Sequence, residues 1–195
     1  MGVTLRAHCA IRFYMNVNIM LSNLKPHLWE MVADTVQFVA GALEECGVGV
    51  KIGTSQLDPD ALNLFIDRFY IEPNFPTQMK IGGVKYGLIC TEVIALDGTW
   101  NYGAEGGDPA TLAAFELAAK NAEFVWCLLE ESVEACRAMN PNTAYLPFGY
   151  LESMETLKPL APAEKDIDFL MCGIPSERRQ NLVAAISEAG HEVYY

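Results

Sequence analysis

The chain has 195 residues, 51% of them hydrophobic, with a formal net charge of -12 at pH 7 and a pI near 4.6. That length carries one good core, or one domain plus part of another, and the apolar content excludes a disordered chain. The summed negative field repels phosphate polymers and anionic lipid, which excludes nucleic acid as a partner.

The opening segment, residues 1–21, is too short in its apolar run and too polar at Asn16 and Asn18 for a signal peptide or a membrane span. The expectation is a soluble, cytoplasmic protein. Cys9, Cys46, Cys90, Cys127, Cys136 and Cys172 sit singly in apolar runs, with no C-x-x-C pair and no histidine at ligand spacing. This spacing predicts small buried hydrophobes in a reducing compartment rather than a zinc or redox site.

In chain order, a strand is predicted over Arg12–Leu21, then the loop "SNLKP", then a helix over His27–Cys46. Leu28, Met31, Val32, Val36, Val39 and Leu43 recur on that helix at its own period, and Gly47 supplies the positive φ of a helix end. A second strand follows over Val48–Gly53. Asp58 and Pro59 form a cap-plus-proline pair that opens a short helix, or else Leu64–Tyr70 is a strand; the pattern leaves both open.

Tyr86–Ile94, "YGLICTEVI", is a continuous β-prone run of the kind covered on both faces. The glycine-rich "LDGTWNYGAEGGDP" is a loop. Asp108 and Pro109 start a helix through Lys120, followed by a strand Phe124–Leu129, a helix Glu131–Met139 and a strand Ala144–Pro147. Alternation of strand and helix implies parallel pairing. The reading is an α/β protein with a Rossmann-like parallel sheet and helices on both faces.

Residues 151–165, with Pro159 and Pro162, form the best linker in the chain. Beyond it, "DFLMCGIPSERRQNLVAAISEAGHEVYY" reads as strand, turn, helix, glycine stop and strand, repeating the phrase that "LEECGVGV" ends near the front. Either this adds a strand to one sheet, or it opens a second domain. The second alternative divides the chain into residues 1–150, a linker 151–165 and an incomplete domain 166–195.

Two Rossmann-like domains joined by a linker, with no GxGxxG motif, resemble the GT-B fold of glycosyltransferases. The segment "KDIDFLMCGIPSERRQNLVAAISEAGHEV" resembles the opening of the donor-binding domain in bacterial GT-B proteins of the spore-coat and surface-polysaccharide type. "AEFVWCLLEESVEACRAM" with "TAYLPFGY" is similar to the end of their acceptor domain, and "YGLICTEVI" to a central strand that ends in a glutamate near the cleft.

The resemblance implies transfer of a sugar from a nucleotide-sugar donor to a sugar or protein acceptor, with no metal and no separate cofactor. It also implies that most of the donor site would lie past Tyr195, so that this chain by itself is a truncated, inactive portion.

Glu92, at a predicted strand's carboxyl end, is the candidate catalytic base, against a purely structural role capping the next loop. Gly173, Ser176, Arg178 and Arg179 form a candidate phosphate grip at a helix N-terminus, which in the resembled family faces the donor diphosphate. Asn23, Lys25 and His27 in the first loop, with Asp97, Trp100 and Asn101 in the glycine-rich loop, are candidate acceptor-binding groups. Trp100 serves equally well as a plug on the sheet.

No Walker-type phosphate loop occurs. Two further readings stay open: a non-catalytic Rossmann-like module that pairs with itself through the aromatic strand "HEVYY", and a small α/β enzyme using another nucleotide.

Overall fold

The structure, a computed structural model, describes residues 16–54, 56–96, 109–155, 161, 164, 167–173 and 175–195. It divides into two compact units, Met1–Met154 and Glu155–Tyr195.

The first unit is an α/β fold of Rossmann-like type. Its strands are β1 (Asn16–Met20), β2 (Gly49–Gly53), β3 (Leu62–Ile66), β4 (Tyr86–Cys90), β5 (Val125–Cys127) and β6 (Thr143–Tyr145). They form one sheet in the order β2-β1-β3-β4-β5-β6, and every pairing is parallel. The helices are α1 (Trp29–Glu45), α2 (Phe75–Ile81), α3 (Pro109–Asn121) and α4 (Val133–Met139).

Two apolar layers flank this sheet. Val17 and Ile19 point to one face, where Leu62, Leu64, Ile66, Phe124 and Trp126 meet the stripe Val36, Val39, Ala40 and Leu43 of α1. Met20, Phe65, Leu88 and Cys90 point to the other face, where Met79 of α2, Phe115 and Ala118 of α3, and Ala135 and Cys136 of α4 cover them. This period-two division is what pleated strands buried on both faces require. β3 and β4 are buried along their whole lengths, and each large side chain so buried contributes roughly 1.5–3 kcal/mol.

α1 begins two residues later than the sequence predicts, because Pro26–Leu28 form a 3-10 turn ahead of it. It ends as predicted: Gly47 has φ 79°, its N–H donates to Glu44, and Val48 N–H donates to Leu43. These paired bonds at the glycine satisfy carbonyls that a helix end leaves over.

The helix offered as one alternative at Asp58 does not form. The Asp58 carboxylate instead accepts the Asp60 N–H at 3.0 Å, Ala61 N–H donates back to the Asp58 carbonyl, and the chain enters β3 directly. No helix joins β2 to β3 among the described residues. The segment 56–58 is held instead by two buried asparagines in register on β1 and β3. Asn18 Nδ2 donates to Gln56 O and to Asn63 Oδ1, while Asn63 exchanges bonds with both the N–H and the carbonyl of Asp58.

α2 was not anticipated by the sequence reading. Its signals stand in "NFPTQMKIGG": Asn74 at the cap position, Pro76 in the first turn, and Gly82 and Gly83 after the end.

In the second unit, β7 (Phe169–Leu170) pairs in parallel with β8 (Val193–Tyr194), joined by α5 (Glu177–Glu188). These strands make their own two-stranded sheet. No described residue of this unit is buried. No helix among the described residues is long and apolar enough to cross a membrane.

Candidate functional site

In an open parallel sheet the ligand crevice lies outside the carboxyl ends of the strands, near the point where strand order reverses. Here the chain leaves β1 for β2 on one side and then returns to β3 on the other, so the reversal falls between β1 and β3. The loops after β1, β3 and β4 therefore carry the groups of interest.

The loops after β1 and β3 are tied together. Asn23 Nδ2 donates to the carbonyls of Ile66 and Arg68 at 2.7 and 3.0 Å, and its own carbonyl accepts the Tyr70 N–H. Asn23 is 3% exposed, so its amide serves the backbone of the neighbouring loop, while its buried Oδ1 has no hydrogen-bond partner among the described residues. Lys25 and His27 are exposed on the same loop. The Arg68 guanidinium stacks 4.4 Å from the centroid of the Tyr70 ring.

Asp67 follows the end of β3 and has φ 53°. Aspartate tolerates this left-handed geometry better than most residues, and the turn swings its carboxylate toward β4. There Oδ1 accepts the Thr91 N–H at 2.9 Å and Oδ2 accepts the Thr91 hydroxyl at 2.7 Å. Burial outweighs these bonds and the nearby Arg68 charge, and lifts the Asp67 carboxyl from 3.8 to about 6.

Glu92 lies one residue past Thr91 and is half-buried. Its backbone is fixed from α4's side: the Ser132 hydroxyl donates to the Glu92 carbonyl at 2.8 Å and accepts the Ile94 N–H at 3.1 Å. Burial first, and the charge of Asp67 second, push the Glu92 carboxyl up to about 7. Burial thus holds both carboxyls above the ordinary carboxylate range. Asp67 was not singled out from the sequence. Its signal is the acidic residue immediately after an apolar β-run, "LNLFID", on a strand whose limits the sequence left open.

Beneath this pair three thiols meet. Cys90 and Cys127 are register partners at the ends of β4 and β5, on the same face of the sheet, and Cys136 reaches them from α4. Their sulfur atoms all lie within 4.8 Å of one another and all three residues are fully buried. Hydrogen bonds from Cys136 and Cys90 to the Cys127 sulfur lower the Cys127 thiol, and the same bond to Cys127 raises that of Cys136. Of the six cysteines expected to be small buried hydrophobes, Cys90, Cys127 and Cys136 are buried and also cluster, Cys46 and Cys172 are exposed and correct that expectation, and Cys9 lies outside the described residues. Linear spacing hides a cluster whose members sit on separate elements.

Within the second unit, Ser176 caps α5, its Oγ accepting the Arg179 N–H at 3.3 Å. Gly173 has φ 124°, and the Arg179 guanidinium covers it so closely that a Cβ there would sit 2.7 Å from a guanidinium nitrogen. The structure therefore brings Gly173, Ser176 and Arg179 together, whereas Arg178 points to solvent. Asp97, Trp100 and Asn101 lie outside the described residues.

Comparison with known proteins finds no matching family model, no matching curated protein and no matching solved structure.

Proposed function

We propose that this chain supplies the acceptor side of a GT-B-like glycosyltransferase, with Glu92 as the base that takes the proton from an acceptor hydroxyl. The observation that carries this reading is the position of Glu92: a half-buried carboxylate at the carboxyl end of a central strand, anchored through Ser132 and next to buried Asp67. Sugar transfer with inversion requires such a base within hydrogen-bond reach of the hydroxyl. In this reading the Gly173–Arg179 turn presents the N-terminus of α5 and a guanidinium to the donor diphosphate. The nucleotide sugar and the sugar or protein acceptor are both substrates of the full-length protein.

The test is release of nucleoside diphosphate from uridine, guanosine and thymidine diphosphate sugars by the full-length protein, with Glu92→Gln alongside. The variant is expected to lower kcat by on the order of 100-fold or more with donor KM unchanged. Turnover that is equal in both proteins removes Glu92 from the chemistry, and no heat on titrating any of the three donors removes the transferase reading.

A second reading is a non-catalytic module that pairs with a second copy of itself. It is favoured by the apolar surface of the second unit, where Leu170 is 66% and Tyr194 64% exposed. Sedimentation at increasing concentration distinguishes it: a dimer that Leu170→Lys dissolves supports pairing, and a monomer at all concentrations removes it.

A further inference from the structure

The Cys90, Cys127 and Cys136 cluster has no part in the sugar-transfer reading, and its geometry is that of a ligand set. Three sulfurs bound to one ion at about 2.3 Å stand roughly 4 Å apart, and the observed separations, all within 4.8 Å, need only a small contraction to reach that arrangement. The three ligands come from rigid and separate elements: two adjacent strand ends fixed in register, and a helix that packs over them. Nothing in the local chain requires three cysteines at one point of the core, where alanine or valine would fill the same space. Around them are Asp67 and Arg137, whose charges act on the cluster, and the apolar layer of Met20, Leu88, Val125 and Val133.

We propose that Cys90, Cys127 and Cys136 form a binding site for one soft, thiophilic metal ion, held by three sulfurs at the carboxyl ends of β4 and β5. The donor set fixes the class of ion. Thiolates without imidazole or carboxylate in the first layer select Cu+ or Zn2+ over Mg2+, Ca2+ or Mn2+. Binding replaces thiol protons by the metal, so uptake releases protons and strengthens as pH rises. Because the sulfurs are fully buried, the ion enters through local opening of the short helix α4, and loading is slow relative to exposed thiols. A loaded site clamps α4 to the sheet, and α4 is joined through Ser132 to the Glu92 backbone.

The experiment uses the full chain, reduced and metal-free, in a variant with Cys9, Cys46 and Cys172 replaced by Ser, so that the three clustered thiols are the only ones present. Zn2+ and Cu+ are each titrated to equilibrium against a chromophoric chelator. Co2+ is added separately to read sulfur-to-metal charge transfer. The expected result is one ion per chain, charge-transfer absorption with Co2+, and a raised unfolding midpoint, because only the folded chain assembles the sulfurs. The tighter of the two titrations identifies the ion.

Cys127→Ser and Cys136→Ala in the same background are each expected to weaken binding roughly ten-fold or more while circular dichroism retains the fold. Absence of uptake by the folded protein overturns the proposal. So does a lowered midpoint, which marks capture by unfolded thiols, or binding that Cys127→Ser and Cys136→Ala leave intact.

Discussion

Asp67 is a buried carboxylate at positive φ whose partners are the backbone N–H and the hydroxyl of Thr91. Its folded-state value of about 6 lies above the ordinary 3.8. The folded protein therefore binds the proton more tightly, and stability is greatest below pH 3.8 as far as this group is concerned. It falls as pH rises to about 6 and is level beyond, with a total loss of about 3 kcal/mol. Arg68 and the Thr91 bonds moderate this loss, while the neighbouring Glu92 carboxyl adds to it as it ionises. Asp67→Asn is expected to flatten that slope and to match or exceed the parent's stability at pH 8, as read by urea unfolding at a series of pH values.

Glycine at position 87 is equally specific. A Cβ there would lie 2.5 Å from the Phe124 ring, inside a layer with no room to give. Gly87→Ala is expected to lose about 1–3 kcal/mol. Gly47→Ala, in open space but at positive φ, is expected to lose about 1 kcal/mol. Unfolding midpoints of the two variants check both values.

At the scale of elements, the β2-to-β3 connection shows how a sheet face is covered without a helix. Asn18 takes up the Gln56 carbonyl and Asn63 both backbone groups of Asp58, so these three groups stay paired where the chain approaches β3. Asn63→Ala leaves the part-buried Asp58 N–H without its partner, while the Asp58 carbonyl keeps the Ala61 N–H, and is expected to destabilise the protein by about 1–3 kcal/mol. Amide exchange at residues 56–61 should accelerate before that of β3 itself. The same segment explains a limit of the sequence reading. Asp58 followed by Pro59 is a helix-opening signal, but an aspartate that accepts an N–H two residues on closes a turn just as well. Which outcome prevails depends on Asn63, which approaches only when β3 pairs with β1.

At the scale of the whole molecule, burial is unequal between the two units. Among the described residues, every buried one belongs to the first unit, most of them in two layers on either side of the six-stranded sheet. β7, α5 and β8 have local hydrogen bonds and a capped helix but no buried side chain among their described residues. Hydrogen exchange is therefore expected to separate the units, with protection in β3 and β4 and rapid exchange in α5 and β8. A chain ending at Met154 should keep the unfolding midpoint of the sheet. A shared midpoint that is lost in this shorter chain would contradict independent stability.

The sequence by itself determined the class of fold, the parallel direction of the strands, the end of α1 at Gly47 and the starts of α3 and α5. Each of these rests on local chemistry: a period of apolar residues, a proline in a first turn, a capping serine or a glycine with positive φ. It also offered Glu92 as a candidate, because the end of an apolar β-run lies on the crevice side of such a sheet. Tertiary structure alone decided that Asp67 stands beside Glu92, that Asn23 is turned inward to the β3 loop and that three scattered cysteines share one point. Those facts depend on strand order and register, which place residues far apart in the chain on neighbouring strand ends. A linear pattern records which face a residue occupies, whereas its neighbours on that face are set by pairing between strands.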